Sequence, residues 1–238
     1  MVQHGITEST RSKGLKVFHN CLRAHGGTKV WNKLNGWVIE GEEVWPHMLQ
    51  RLFNLPFEHH RQKRRYEYLA QNNRLVVESI DEQGQKVLVQ SGASEKRSHR
   101  WLSSPTMRFF FEMPFSFRKR QELSYAGEGT LAGRKFDLVF LSLRGKKERS
   151  NDFLLWVHRK TGILHLVQYD LLGREKGPSA GAVVFADHRV VGGIVVPFKV
   201  RVLATIHDRS PQKEYHLEKV KFDAFFTKSN TPSSDERF

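Results

Sequence analysis

The sequence predicts a mainly β protein of the α+β kind: a curved antiparallel sheet, or incomplete β-barrel, of about ten or eleven strands with short helices covering its concave face. Three observations lead there. Short runs rich in β-branched and aromatic residues recur along the 238 residues, parted by turn signals such as Asn72-Asn73, Thr161-Gly162 and Gly192-Gly193, the spacing of hairpin-connected strands. Glycine-rich phosphate loops and a regular strand-helix alternation are both missing from the sequence, which argues against a parallel nucleotide-binding sheet. Several runs are apolar at odd and even positions alike: in RKFDLVFLSLR, Phe136, Leu138 and Phe140 point one way and Val139, Leu141 and Leu143 the other. Both faces of such a sheet need cover, from a helix layer or a lipophilic cavity on the concave side.

In chain order, residues 1–13 read as a flexible N-terminus, 14–226 as a single domain and 227–238 as a flexible tail. Leu15, Phe18 and Leu22 recur at helical spacing, and Gly26-Gly27 supplies a left-handed stop. Thr28 can cap a second brief turn that sets Trp31 and Leu34 against the sheet. After Asn35-Gly36 comes a strand, WVIEGEEVW, ended by Pro46. Between Pro46 and Phe57 the apolar residues Met48, Leu49, Leu52 and Phe53 fall at helical spacing, so this stretch reads as a short amphipathic helix, either a lid or a packed connector. Three strands follow, from His59, Asn73 and Gln85. A helix opens at Ser104-Pro105 and stops at Pro114. Seven more strands complete the domain, in the segments QELSYAGEG, RKFDLVFLSLR, DFLLWVHRK, ILHLVQYDL, AGAVVFADHR, PFKVRVLATIH and EYHLEKVKFDAFF.

The 39 Lys and Arg against 25 Asp and Glu give a net charge of +14, so an anionic partner has to be considered: nucleic acid, an acidic protein or an anionic membrane surface. Basic runs at Arg61 to Arg65, Lys96 to Arg100, Arg118 to Arg120 and Arg144 to Arg149 fall mostly at strand ends and loops, where solvated charge is the ordinary explanation. Interleaved with Tyr66, Tyr68, Phe115 and Phe117 they offer a second reading, a basic β-scaffold binding nucleic acid or another acidic macromolecule.

Little points to catalysis. The lone Cys21 excludes a disulfide within the chain and any cysteine-rich zinc site. The twelve histidines show no metal-ligand spacing, and neither a metal nor a cofactor is expected. Asp137, Asp152, Asp170 and Asp187 lie on separate strands or turns, so only the fold decides whether they meet as acid and base.

The aromatic cluster Phe109, Phe110, Phe111, Met113, Phe115 and Phe117 reads either as a core plug or as the entrance to an apolar cavity, because Phe and Met suit acyl chains that need contact with little directionality. Taken in order, AHGG-x3-W (Ala24 to Trp31), FFFEMPF (Phe109 to Phe115), L-x-G-x2-F-D (Leu131 to Asp137), DFLLWV (Asp152 to Val157) and GGIVVPF (Gly192 to Phe198) resemble the LolA/LolB-like lipoprotein-carrier superfamily, from about Gly14 to Phe226. The resemblance implies a non-enzymatic, monomeric binder or carrier of a lipid, acyl chain or acylated protein, held in an apolar cavity under a helical lid. Trp45, Leu49 and Phe53 would be lid positions; Tyr68, Phe110, Phe111, Phe115, Leu141, Trp156 and Tyr169 would line the cavity. It further implies a periplasmic protein if an export leader precedes Met1, and a cytoplasmic one otherwise.

Overall fold

Eleven strands form one antiparallel, open and curved sheet in the computed structural model of the protein, which describes residues 7–46, 61–80, 83–93, 104–117, 121–144, 150–171 and 180–223. The strands are β1 (Gly36–Val44), β2 (Arg61–Leu69), β3 (Arg74–Ile80), β4 (Lys86–Ala93), β5 (Gln121–Leu131), β6 (Arg134–Arg144), β7 (Ser150–His158), β8 (Leu164–Leu171), β9 (Ala180–Val191), β10 (Ile194–Leu203) and β11 (Lys213–Phe222). Among the described residues the helices are α1 (Glu8–Ala24), α2 (Thr28–Trp31) and α3 (Ser104–Phe111), followed by a 3-10 turn at Phe115–Phe117.

Strand order explains how the sheet is covered. The sequence β4-β3-β2-β1-β11-β10-β9-β8-β7-β6-β5 means that the chain starts in the middle of the sheet and walks outward to one edge at β4. It resumes at the opposite edge with β5 and walks back to pair β11 with β1, Trp37 opposite Phe222. The link from β4 to β5, which contains α3, must therefore cross from one edge to the other.

Alternation along each strand decides which side chains it meets there. Trp37 and Ile39 of β1, Tyr66 and Tyr68 of β2, Val139 and Leu141 of β6, and Phe153 and Leu155 of β7 belong to one buried cluster with Phe18 of α1 and with Phe110 and Phe111 of α3. Their face is the covered one. Leu154 and Trp156, the intervening residues of β7, point the other way and pack with Phe136, Leu138, Leu166 and Val184.

Helix α1 begins six residues before the expected Gly14. Thr7 and Thr10 cap each other's backbone N–H groups at 3.0 and 3.2 Å, and the Lys13 ammonium lies 3.6 Å above the Tyr125 ring, so residues that look merely polar are fastened. Gly14, Phe18, Cys21 and Leu22 make the buried stripe. At Gly14 a Cβ would come within 2.6 Å of the β5 backbone at Ser124 and Tyr125, which makes glycine a packing requirement. Helix α2 is preceded by Gly27 at φ 83°, with no side-chain cap, so Thr28 is the first helical residue and not the cap.

The far end of α1 is bolted down by His25. Its Nδ1–H donates to the Val195 carbonyl at 3.0 Å and its Nε2 accepts from the Leu164 N–H at 3.1 Å, a neutral tautomer fully used by two strands.

Candidate functional site

The sequence-predicted cavity residues divide between the two faces. Tyr68, Phe110, Phe111, Phe115, Leu141 and Tyr169 all enter the buried cluster between sheet and helices. Trp156 does not join them: it is on the other face, edge-on to Phe136 with ring centres 5.8 Å apart, and donates from Nε1 to Gln168 at 2.9 Å. Trp45, expected at a lid, is 1% exposed at the end of β1. Leu49 and Phe53, with the amphipathic stretch between the two prolines, lie outside the described residues.

The aromatic run of α3 and the turn after it makes the floor-to-cover contacts. Phe111 meets Trp37 at 5.0 Å and Phe222 at 6.2 Å, Phe117 meets Phe153 at 4.9 Å, and Phe115 stacks on Trp31 at 4.4 Å with the rings 8° apart. Aromatic pairs of this kind contribute about 0.5–1.5 kcal/mol beyond their buried area. The Met113–Pro114 peptide between them is cis.

A polar latch, not legible in the sequence, fastens α3 at the rim of this layer. Arg108 donates from Nε to Glu112 Oε1 at 2.9 Å, from Nη1 to Asn73 Oδ1 at 2.6 Å and from Nη2 to the Tyr68 hydroxyl at 2.7 Å. Trp37 Nε1 donates to the same Glu112 oxygen at 3.3 Å. Helix, central strands and the β2–β3 turn are thus held by one guanidinium and one carboxylate, set i and i+4 on the helix. Burial, followed by the field of Glu112, raises the Tyr68 hydroxyl above its ordinary pKa despite the guanidinium beside it.

A second polar group is buried at the other end of β1. Lys213, 1% exposed, places Nζ 3.1 Å from Glu43 Oε1; Arg64 Nε lies 4.0 Å from the other Glu43 oxygen, and the Tyr66 hydroxyl donates to Glu43. The Lys213 ammonium also lies 4.3 Å from the Trp45 ring and 4.4 Å from the Tyr215 ring. Burial pulls Lys213 down to about 8 against the pull of Glu43. Burial likewise pushes Tyr169 up to about 12 and Tyr215 well above its ordinary value. The alternation Trp37, Ile39, Gly41, Glu43 was the available signal that Glu43 faces inward.

Features considered as chemistry resolve differently. Arg65, inside the first basic run, meets Glu40 at 2.8 Å, Glu67 at 2.9 Å and Glu78 at 3.5 Å, so that strand is not a bare cationic groove. Cys21 is wholly buried, which pushes its thiol up and away from nucleophilic use. Of the four aspartates, Asp152 and Asp170 stand directly opposite on β7 and β8, whereas Asp137 accepts from the Tyr125 hydroxyl and Asp187 pairs with Arg189. His25, His188, His165 and His158 form a row with successive ring centres 6.2, 5.0 and 5.6 Å apart. Among the described residues no set of three His, Cys, Asp or Glu side chains is placed to hold a metal ion.

Solved structures share this open antiparallel sheet with helices packed against one face. A domain assigned to outer membrane lipoprotein sorting, from Vibrio parahaemolyticus, superposes with a TM-score of 0.55 at 10% identity, covering 92% of this chain and 95% of its own. A DUF1329 family protein from Desulfovibrio piger gives 0.53 at 10% identity, covering 90% and 95%. A LolA superfamily protein from Nitrosomonas europaea, NE2245, gives 0.47 at 9% identity over 84% and 91%. No family model matches the chain, and no curated protein matches it by sequence. The likeness is one of fold.

Proposed function

We propose that the protein is a monomeric, non-enzymatic carrier that holds a lipid, an acyl chain or the acylated end of a lipoprotein between α3 and the covered face of the sheet. The observation that carries this reading is the asymmetry of the cover. A broad face of apolar and aromatic side chains is closed from above by α1 and by an aromatic connector that crosses between two open edges, and a connector can part from a sheet where a second sheet could not without breaking its own pairing. The fold shared with the Vibrio parahaemolyticus sorting domain agrees with it.

In this account Phe110, Phe111, Phe115, Leu141, Tyr68 and Tyr169 exchange contacts with one another for contacts with the chain of the ligand. Each methylene so buried contributes about 0.8 kcal/mol. Opening α3 breaks the bonds of Arg108 to Asn73 and Tyr68 and of Glu112 to Trp37, and the freed groups find water. Trp45, with Leu49 and Phe53 beyond it, supplies the lid, and the net charge of +14 favours an anionic membrane as the place of loading.

The test is native mass spectrometry of the purified protein, followed by organic extraction of whatever travels with it. A stoichiometric phospholipid or acylated peptide, lost in a folded Phe110→Asp variant, is the expected result. A bare polypeptide mass, unchanged after incubation with phospholipid and with acylated peptide, overturns the reading.

A further inference from the structure

The cations of this chain are answered unevenly. On the outer face of the sheet they stand among carboxylates: Arg65 meets Glu40, Glu67 and Glu78, Lys219 meets Glu40, and Lys199 meets Glu214. On the helical cover they do not. Residues 7–35, which hold α1 and α2, contain Arg11, Lys13, Lys16, Arg23, Lys29 and Lys33 against a single acid, Glu8. All six are exposed, and among the described residues none of them forms an ion pair. Lys16, His19 and Arg23 follow one another at three and four residues, so they run along the side of α1 turned away from the buried Gly14, Phe18 and Cys21. Of the four large apolar side chains exposed among the described residues, two, Leu15 and Val30, are on these same helices.

A helical surface that is basic, poor in acid and spotted with aliphatic side chains has the make-up of one that lies on an anionic bilayer. Ammonium and guanidinium groups reach the lipid phosphates, and the aliphatic side chains enter the headgroup layer. Nucleic acid is less well matched, since these helices offer no exposed Phe, Tyr or Trp ring for bases to stack on; Trp31 is already stacked on Phe115. We infer that the exposed side of α1, with the α2 segment after it, is the surface by which the protein docks on an anionic phospholipid bilayer. Its purpose rests on the carrier reading: the inward side of α1 places Phe18 in one cluster with Phe110 and Phe111, so docking sets the cover of the acyl site against the membrane.

The experiment is co-sedimentation of the full chain with phosphatidylcholine vesicles, with and without phosphatidylserine, at one ionic strength. Binding to the phosphatidylserine vesicles alone is expected. Each Lys or Arg at such a surface strengthens binding roughly fivefold. The triple variant Lys16→Gln, Arg23→Gln, Lys29→Gln therefore binds about a hundredfold more weakly, and melts with the parent because the three side chains are exposed. A variant that loses the same charge from the outer face of the sheet, Lys63→Gln, Lys199→Gln, Lys219→Gln, binds within about threefold of the parent. Equal loss in the two variants, equal binding to both kinds of vesicle, no binding to either, or tighter binding to a single-stranded oligonucleotide than to the phosphatidylserine vesicles overturns the docking surface. Native mass spectrometry in solution keeps the two readings apart: a parent that carries an acyl ligand without docking loses this surface and keeps the carrier, and one that docks without an acyl ligand does the reverse.

Discussion

The two faces of the sheet are built from the same strands and the same kinds of residue, yet they end up with different chemistry. On β7, Phe153, Leu155 and Val157 enter the main core while Leu154 and Trp156 enter the smaller outer cluster. The covered face has polar groups at both ends, the half-buried Arg108–Glu112 latch at one rim and the buried Glu43–Lys213–Arg64 group near the other. The outer face keeps its apolar residues together beside a groove, and one oxygen of Asp152, Oδ1, has no donor among the described residues. The difference teaches that apolar content does not by itself mark a ligand-bearing face. What separates the two is how the cover is held, by side-chain latches on one and by local strand packing on the other.

The strongest way to sharpen the comparison is to remove the charge buried on the covered face. Glu43→Ala takes away the carboxylate between Lys213 and Arg64 and is expected to cost about 3–5 kcal/mol, read by urea unfolding; a loss under about 1 kcal/mol would show that the group is dispensable. Next come matched truncations. Phe111→Ala, which removes a ring touching both Trp37 and Phe222, should cost about 3–4 kcal/mol, and Leu154→Ala on the half-buried outer side about 1–2 kcal/mol. Equal losses would break the distinction between the faces.

Acid provides a third probe. Burial, with the field of neighbouring histidines and other charges, holds His25, His165 and His188 at about 4 against an ordinary 6.5. Between those values the unfolded chain binds more protons than the folded one, so stability is fully present above about pH 6.5 and is lost as pH falls towards 4. For the buried His25 alone the loss is on the order of 3 kcal/mol. His25→Gln should flatten the dependence of melting temperature on pH over that window, and an unchanged slope would contradict the assignment. The smallest effect expected is that of Arg108→Ala, about 1–2 kcal/mol. Its diagnostic readout is faster hydrogen exchange in α3 with little change in β9 and β10; uniform acceleration would mean that the latch does not act locally.

Much of the fold was legible in the residues because its signals are local. Turn pairs such as Thr161-Gly162 and Gly192-Gly193 mark hairpins, and Pro114 closes the helix that begins at Ser104. The site was less so. The sequence groups Trp156 with Leu141 and Tyr169, but β7 is apolar on both sides, and periodicity cannot choose a face when both are greasy. The latch went unseen since Arg108 and Glu112 acquire meaning only when the β2–β3 turn brings Tyr68 and Asn73 beneath them. For the same reason the facing of Asp152 and Asp170, and the row of four histidines from α1's end, β7, β8 and β9, depend on register between strands that the sequence does not print. The early start of α1 rested on a Thr7–Thr10 cap, weaker as a pattern than a Ser or Thr followed by Glu.

The central claim is that an acyl ligand occupies the covered face and not the outer one, and tryptophan quenching by a bromine-labelled acyl chain tests it most directly. Two variants are needed, one retaining Trp37 and the other Trp156 as sole tryptophan, each titrated with a brominated fatty acid. The account predicts saturable quenching of Trp37, which touches Phe111 beneath α3, with Trp156 unaffected. Quenching of Trp156 with Trp37 unaffected would contradict it.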